Sequence, residues 1–236
     1  MGVEQVVSRL GTVVMTLAVL LAALGHRADP TRNYTTLSVG SPANHLAVIG
    51  DSYTTGTREG GRGPQSWTSR AWATLERQGV QVAPDVAAEG RAGYGVPGDH
   101  GSVFGDLAAK AVHSDDVLVV FFGSRNDQGT DPDLLAEKAH DAFDLVRRAA
   151  PSARLLVIGP PWPTADAPAD VLRVRDVIAD QSRAAGATFV DPIAENWFVG
   201  RSDLIGADGV HPNDAGHAYM AAKIVPLIRA QLPWLV

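Results

Sequence analysis

One apolar run constrains the fold of this chain more than any other stretch, namely Val117-Leu118-Val119-Val120-Phe121-Phe122. Most of its residues are β-branched or aromatic, as is typical of strands. Because no polar residue alternates with them, the strand that they predict is buried on both faces, like the central strands of parallel sheets. We therefore expect a parallel sheet that is covered by helices on both sides.

Further apolar segments predict the other strands of this sheet. In chain order, the sequence predicts strands over residues 46–49, 80–88, 117–122, 153–158 and 187–190. Amphipathic segments with capping residues predict helices between successive strands and a last helix from about Asn213. Pro84 indicates that the second strand lies at an edge of the sheet, because proline cannot donate a hydrogen bond to a neighbouring strand.

Strands that alternate with helices predict an α/β domain, here a flavodoxin-like three-layer α/β/α sandwich with a five-stranded parallel sheet. The common strand order of such a sheet is 2-1-3-4-5, which brings the carboxyl ends of strands one and three to one crevice. Ser52 follows the first predicted strand and Asn126 follows the third. The topology therefore predicts that these two polar residues lie close together.

The composition narrows the classes of function. A chain of 236 residues without cysteine forms neither disulfides nor thiolate-ligated zinc sites, and it has no cysteine nucleophile. Its formal charge of −6 comes without a Lys/Arg cluster, which argues against a nucleic-acid partner. Asp51, Asp127 and Asp208 are scattered without the spacing of metal ligands. We therefore expect no metal and no cofactor.

The N-terminus carries a separate hydrophobic segment over residues 1–25. Residues 10–24 are uncharged and almost wholly apolar, which is short of the roughly 20 residues of a spanning helix and suits a signal peptide. Ala23 and Gly25 are the small residues that a signal peptidase reads, so we expect cleavage after Gly25. The sequence thus predicts a secreted or membrane-associated protein; an uncleaved anchor and a helix retained in a cytoplasmic protein stay open. Residues 26–44 form a polar lead-in to the domain of residues 45–236.

A serine hydroxyl stands at the end of the first predicted strand, in Gly50-Asp51-Ser52-Tyr53. The carboxyl end of a parallel strand is where open α/β folds place their chemistry. A serine is a weak nucleophile unless a base, normally a histidine held by a third group, takes its proton. We therefore interpret Ser52 as the nucleophile of a hydrolase or an acyltransferase.

Of the seven histidines, His211 best fits the role of the base. It lies in Asp208-Gly209-Val210-His211-Pro212, just before the last predicted helix. Gly209 lets this loop bend, so that Asp208 can accept a hydrogen bond from Nδ1 and leave Nε2 free for Ser52. The pattern predicts His211 as the general base and Asp208 as the residue that orients it.

Four blocks of this sequence resemble those of the SGNH hydrolases, also called GDSL esterases and lipases: Gly50-Asp51-Ser52-Tyr53, Gly90, Asn126-Asp127 and Asp208-Gly209-Val210-His211-Pro212. The resemblance extends from about residue 46 to the last helix and makes residues 45–236 the catalytic domain. It implies that Ser52, Asp208 and His211 are catalytic. It also implies an oxyanion hole formed by the backbone N–H groups of Ser52 and Gly90 and by the side chain of Asn126.

The chain departs from the family pattern at two of these blocks. Two residues, Ser124 and Arg125, stand before Asn126 in the third block, where the family usually has one. Glu89 precedes Gly90 in place of the small polar residue that is common there. The positions of Asn126 and Gly90 therefore depend on turns that differ from the usual ones.

Two tryptophans and a glycine motif have more than one interpretation. Trp162 and Trp197 lie in predicted loops, where they either line an acyl or sugar pocket or cover the edge of the core. Residues 93–98 match the dinucleotide motif G-x-G-x-x-G, but Pro97 interrupts the turn, and the acids at a suitable distance precede the next strand. We interpret this match as accidental.

Three functions stay open from the sequence. The first is a serine esterase that acts on acyl esters of small molecules, sugars or lipids through an acyl-serine intermediate. The second is an acyltransferase that moves an acyl group, for example from acyl-CoA, to a sugar or polyol hydroxyl. The third is an inactive carbohydrate- or lipid-binding module, against which the set of Ser52, Asn126, Asp208 and His211 argues.

Overall fold

The structure, a computed structural model, describes residues 43–233. The predicted segment over residues 1–25, with its role in export or membrane contact, lies outside the described residues. So does the lead-in of residues 26–44, apart from its last two positions. Within residues 43–233, no helix combines the length and the apolar character that crossing a membrane requires.

Five parallel strands form one sheet in the order 2-1-3-4-5, as the sequence predicts. The strands are β1 (Asn44–Gly50), β2 (Val82–Ala88), β3 (Leu118–Phe122), β4 (Arg154–Ile158) and β5 (Thr188–Val190). β3 is buried along its whole length between β1 and β4, as its apolar run indicates. β2 lies at the edge of the sheet, where Pro84 stands opposite Leu46 of β1. The predicted fold class is therefore confirmed.

Six α-helices connect and follow the strands in the described part of the chain. They are α1 (Ser52–Thr55), α2 (Trp67–Arg77), α3 (Phe104–Ala111), α4 (Pro132–Ala149), α5 (Ala169–Ala184) and α6 (Asp214–Gln231). Capping side chains start α2 and α4 where the sequence predicts, since Ser66 and Asp131 each accept a hydrogen bond from a backbone N–H of the first turn. The single turn α1, which follows β1 after one residue, is the helix that the sequence did not indicate.

The strands send alternate side chains into two cores, one on each face of the sheet. On one face, Ile49 and Phe121 belong to a core that α3, α4 and α5 complete. On the other face, Val48 and Val120 belong to a core that α2 and α6 complete. Two layers of helices therefore cover the sheet, and its carboxyl edge is left to the loops.

The carboxyl ends of β1 and β3 are adjacent, with Gly50 paired to Phe122. The chain passes from β1 to β2 on one side and returns to β3 on the other, so this is the point where the strand order reverses. Asp51, just after β1, has its Oδ2 atom 3.2 Å from Nδ2 of Asn126, which follows β3. The predicted convergence of these two segments is confirmed.

Candidate active site

Ser52 is the first residue of α1, in the tight turn that leaves β1. Asp51 caps this turn, because its Oδ1 atom accepts a 2.9 Å hydrogen bond from the backbone N–H of Tyr53. Position 50 requires glycine, since a Cβ atom on Gly50 would lie 2.2 Å from Oγ1 of Thr54. The turn places the hydroxyl of Ser52 at the carboxyl edge of the sheet.

Three side chains form a continuous hydrogen-bonded chain at this edge. Nε2 of His211 lies 3.0 Å from Oγ of Ser52. Nδ1 of the same ring lies 2.6 Å from Oδ2 of Asp208. In such an arrangement, the imidazole can take the serine proton while the carboxylate stabilises the protonated ring. The structure thus brings together the three residues that the sequence assigns to these roles.

The loop before α6 holds Asp208 and His211 in place. Oδ1 of Asp208 accepts hydrogen bonds of 2.9 Å from the backbone N–H groups of both Val210 and His211. Gly209 has a φ of +70°, a backbone conformation that favours glycine, and so permits the turn. Local backbone geometry therefore sets the distance between Asp208 and His211.

Asp208 stays charged at neutral pH. Its partial burial acts to raise its pKa, but the hydrogen bonds that it accepts from His211 and from the backbone outweigh this effect and lower the pKa to about 2. A carboxylate at this position favours a proton on Nδ1 of His211. Nε2 is then the ring atom that accepts from Ser52.

Tyr53 fixes the same loop from the side of the sheet. Its ring is buried, and its hydroxyl donates a 2.5 Å hydrogen bond to the backbone carbonyl of Val210. The centres of the Tyr53 and His211 rings are 6.1 Å apart. The Tyr53 hydroxyl therefore acts on the position of His211 through the backbone of this loop. Sequence reasoning missed this role, because the contact joins residues 157 positions apart and no local pattern signals it.

Two backbone N–H groups are available to bind an oxyanion. Within residues 43–233, neither the N–H of Ser52 nor that of Gly90 donates to a protein acceptor. Both residues line one cavity of about 350 Å³. Free donors beside the nucleophile are what acyl transfer requires, because its tetrahedral intermediate carries a negative oxygen.

The side chain of Asn126 also lies at this site, but its amide group is already bonded. Nδ2 donates to the backbone carbonyl of Ala92 at 2.8 Å and to Oδ2 of Asp51 at 3.2 Å. These two bonds use both amide hydrogens, so donation to an oxyanion requires the longer one, to Asp51, to break. The oxyanion role that the resemblance implies for Asn126 therefore stays a prediction.

Asp51, the residue directly before Ser52, carries a buried carboxyl group. Burial raises its pKa to about 7, although the hydrogen bond from the backbone of Tyr53 and the charge of Arg125 oppose the rise. A protonated carboxyl group is a weaker acceptor than a carboxylate. The bond from Asn126 to Asp51 is therefore coupled to pH near neutrality.

Two further carboxylates shape the loops around Gly90. Glu89 accepts hydrogen bonds from the backbone N–H groups of His100 and Ser102, so this departure from the family pattern fixes a neighbouring loop. Asp127 accepts from three successive backbone N–H groups, at residues 94–96, over distances of 2.8, 2.8 and 3.1 Å. The G-x-G-x-x-G match thus wraps around a carboxylate of its own chain, in agreement with its interpretation as accidental.

The glycine-rich loop over residues 56–63 is tied to α6 beside the cavity. The backbone N–H of Gly61 donates to Oδ1 of Asp214 at 2.8 Å. His217 is buried against Gly61, and its Nδ1 atom accepts a 3.2 Å hydrogen bond from the backbone N–H of Trp67. Burial lowers the pKa of His217 to about 4, so its ring is neutral at physiological pH.

The two tryptophans lie in different environments. Trp197 is 1% exposed, packs near Phe122 in the core and donates to Oε2 of Glu195 at 2.8 Å. A side chain buried to this extent does not contact a substrate, so the possible substrate-lining role is wrong for Trp197, and its other interpretation, a cover on the edge of the core, agrees with the structure. Trp162 is half-buried in the loop after β4, with the guanidinium group of Arg125 4.4 Å from its ring centre. Trp162 thus remains a candidate for substrate contact.

Comparison with known proteins agrees with this geometry. Residues 48–219 match the GDSL-like lipase/acylhydrolase family, a stretch that contains Ser52, Asp208 and His211. The GDSL lipase Rv0518 of Mycobacterium tuberculosis (strain ATCC 25618 / H37Rv) is 63% identical over 228 residues, which are 95% of this chain and 99% of that relative.

Solved structures share the fold at lower sequence identity. The lipase/acylhydrolase from Enterococcus faecalis has a TM-score of 0.63 and 17% identity, with 80% of this chain and 97% of that chain covered. A family two carbohydrate esterase from Clostridium thermocellum, in complex with cellohexaose, has a TM-score of 0.61 and 20% identity, with 81% of this chain and 65% of that chain covered. From the family match and the 63% identical relative, the chain belongs to the GDSL-like lipase/acylhydrolase family and is an enzyme of the SGNH hydrolase type.

Proposed function

We propose that this protein is a serine esterase that hydrolyses acyl esters through an acyl-serine intermediate. The observation that carries the proposal is the chain of hydrogen bonds from Ser52 through His211 to Asp208, with distances of 3.0 and 2.6 Å. Such a chain activates a serine hydroxyl for attack on a carbonyl carbon. Membership of a family of lipases and acylhydrolases supports an ester as the bond that is attacked.

In the first half of the reaction, Oγ of Ser52 attacks the ester carbonyl carbon while Nε2 of His211 takes the hydroxyl proton. The negative oxygen of the tetrahedral intermediate accepts hydrogen bonds from the backbone N–H groups of Ser52 and Gly90. Asn126 adds a third donor when its bond to Asp51 opens. The bond to the alcohol oxygen then breaks, His211 gives its proton to the departing alcohol, and the acyl group stays on Ser52.

In the second half, water takes the place of the alcohol. His211 removes a proton from this water, whose oxygen attacks the acyl-serine carbonyl. The second tetrahedral intermediate uses the same backbone donors. Its collapse releases the acid, and His211 returns the proton to Oγ of Ser52. Asp208 stabilises the imidazolium ring in both halves.

The cavity at Ser52 favours a small or polar substrate. It measures about 350 Å³, and its lining includes Thr57, Arg62, Asp99 and His100. A long acyl chain would bury little apolar surface against such a lining. We therefore infer a preference for short acyl groups or for esters of polar alcohols. The similar fold of a carbohydrate esterase is consistent with an acylated sugar as one such substrate.

The test uses p-nitrophenyl esters of graded chain length with the wild type and with Ser52→Ala and His211→Ala. Both variants should lose activity to a similar extent, because the two residues act as one unit. Ser152→Ala, which changes an exposed serine after α4, is the matched control and should keep wild-type activity. Ser52→Ala with the activity of the wild type would contradict the serine mechanism.

The same assay distinguishes hydrolysis from acyl transfer. Sugar acceptors are added, and mass spectrometry separates the free acid from the acylated sugar. Hydrolysis predicts the free acid as the main product at every acceptor concentration. An acylated sugar that dominates at moderate acceptor concentration would favour the acyltransferase, and wild-type protein inert toward all esters and acceptors would favour a binding module.

A further inference from the structure

Arg125 stands next to the catalytic residues without a role in the mechanism described above. It opens the single turn Arg125–Asp127 that follows β3, directly before Asn126. Its guanidinium group lies over the ring of Trp162, 4.4 Å from the ring centre. Stacking on an aromatic face holds a guanidinium group in one plane and leaves its N–H groups free to donate along its edges.

The positive charge of Arg125 has no ion-pair partner within residues 43–233. Its Nη1 atom is buried and donates to no acceptor there. Some of the other arginines are paired with carboxylates, for example Arg173 with Asp170, and others donate to backbone carbonyls, for example Arg147 to Ala153. Buried donors in native proteins are nearly always satisfied, so an unsatisfied one next to a reactive serine calls for a ligand or a water molecule.

Arg125 also acts on groups that surround Ser52. Burial raises the pKa of both Asp51 and Tyr53, and the charge of Arg125 opposes both increases. At Tyr53 a hydrogen bond between the guanidinium group and the hydroxyl also opposes the increase in pKa, so part of the guanidinium edge faces Tyr53. The hydroxyl of Tyr53 is the group that holds the loop of His211. The guanidinium group therefore lies on the side of Ser52 where β3 and β4 end. It is close enough for its charge to change the pKa of the two residues that flank Ser52.

We propose that Arg125, held by Trp162, binds an anionic oxygen group of the substrate, so that esters carrying a carboxylate or a phosphate are preferred over neutral esters. This proposal rests on the proposed esterase activity of Ser52. Arginine suits the role because its planar fork of donors matches two oxygens of a carboxylate or a phosphate. The anion is carried by either the acyl part or the alcohol part of the ester, and the substrates of the test separate the two.

The experiment compares esters that differ chiefly in charge. On the alcohol side, 4-acetoxybenzoate and 4-acetoxyphenyl phosphate are compared with neutral 4-acetoxybenzamide. On the acyl side, 4-nitrophenyl hydrogen glutarate is compared with 4-nitrophenyl pentanoate. The wild type should show a higher kcat/KM for an anionic member through a lower KM, and added salt should reduce this preference. In Arg125→Met, the ratio of kcat/KM between the anionic and the neutral member should fall by about 10- to 100-fold.

Two further variants show whether the effect belongs to the charge of Arg125. Arg173→Met removes an arginine that is paired with Asp170 on α5, and it should leave the ratio at its wild-type value. Arg125→Lys keeps the charge without the planar fork and should retain part of the preference. If Arg125→Met lowers kcat/KM equally for both members of a pair, then Arg125 only supports Tyr53 and the proposal is wrong. A wild type without preference for any anionic member also overturns it.

A measurement on the wild type covers the case in which Arg125→Met does not fold. Inhibition by 4-hydroxybenzoate is compared with inhibition by 4-hydroxybenzamide, and inhibition by 5-amino-5-oxopentanoate, which carries a carboxylate at the far end of its acyl chain, is compared with inhibition by pentanamide. Stronger inhibition by one of the anions is expected, and equal inhibition within both pairs overturns the proposal. Ser52→Ala separates this result from the proposed function. Turnover of the neutral esters that does not depend on Ser52 refutes the esterase mechanism, whereas turnover that depends on Ser52 but is insensitive to substrate charge refutes only the anion site.

Discussion

Replacing Tyr53 by phenylalanine tests how much of the reaction rate depends on the position of the His211 loop. The substitution removes one hydroxyl and keeps the ring, which packs edge-on against Phe122 and Phe198. The 2.5 Å hydrogen bond to the backbone carbonyl of Val210 is lost. No group that reacts with substrate is changed, and a neutral ester does not use the proposed anion site at Arg125, so with such a substrate the effect on the rate comes from the loop.

The expected magnitude follows from what remains to hold the loop. A neutral hydrogen bond contributes about 0.5–1.5 kcal/mol, and a buried acceptor left without a donor costs about 1–3 kcal/mol. Val210 is only half-buried, so water can satisfy part of this loss, and we take a cost of about 1–2 kcal/mol. The backbone bonds from Val210 and His211 to Asp208 stay in place. If the whole cost destabilises the conformation in which His211 contacts Ser52, kcat falls about 5- to 30-fold.

The assay measures kcat, KM and the thermal midpoint of unfolding with a short p-nitrophenyl ester. KM should change little, since the Tyr53 hydroxyl is bonded within the protein, and the midpoint should fall by about 2–4 °C per kcal/mol lost. Tyr94→Phe is the matched control, because the hydroxyl of Tyr94 is buried without a hydrogen-bond partner among residues 43–233. It should keep kcat and gain up to about 1 kcal/mol of stability. Folded Tyr53→Phe with kcat within about twofold of the wild type, or an equal loss in Tyr94→Phe, would refute the positioning role.

Four other predictions concern the site, one buried histidine and the N-terminus. Asp208→Asn should lower kcat by up to about 10⁴-fold, because it favours the wrong tautomer of His211; near-normal turnover would indicate a serine–histidine dyad. Asn126→Ala should lower kcat by about 10²- to 10³-fold if its amide joins the oxyanion hole, whereas a change confined to thermal stability would limit Asn126 to its bonds within the protein. His217 gains a proton below about pH 6.5 in the unfolded protein but only below about pH 4 in the folded protein. The stability that the neutral His217 ring contributes is therefore lost as the pH falls from about 6.5 to about 4. In urea unfolding, the stability deficit of His217→Asn should therefore shrink between pH 6.5 and pH 4, and a deficit independent of pH would disagree with the lowered pKa. For the N-terminus we propose export, so sequencing of the protein from its native host should begin at His26, and an intact Met1 in a cytosolic fraction would contradict this.

Much of the fold could be predicted because strand and helix signals in this chain are local and agree with one another. The apolar run of β3 indicates a central strand, and Pro84 indicates an edge strand. The contact between Asp208 and His211 was also predictable, since both residues lie in one short loop. Strand order then places this loop and Ser52 at the same edge of the sheet.

The rest depends on tertiary contacts that no local pattern encodes. The burial of Trp197 results from packing near Phe122, whereas its position in a loop left a pocket and the edge of the core as alternatives. The bonds of Asn126 to Ala92 and Asp51 depend on the turn after β3, whose length differs from that of the family. Sequence reasoning finds residue types that suit a reaction, but it does not show which of their hydrogen bonds are already in use.

The two contacts of His211 differ greatly in sequence separation, and this has a consequence for folding. His211 and Asp208 are 3 residues apart, whereas His211 and Ser52 are 159 residues apart. Contacts within a short loop close rapidly, while contacts between distant segments form more slowly, because closing the longer stretch of chain costs more entropy. During refolding, helical circular dichroism should therefore recover before esterase activity does. Turnover requires that the loop of His211 has packed beside Ser52 at the end of β1. The rate at which substrate hydrolysis recovers is therefore a kinetic probe of the completed fold.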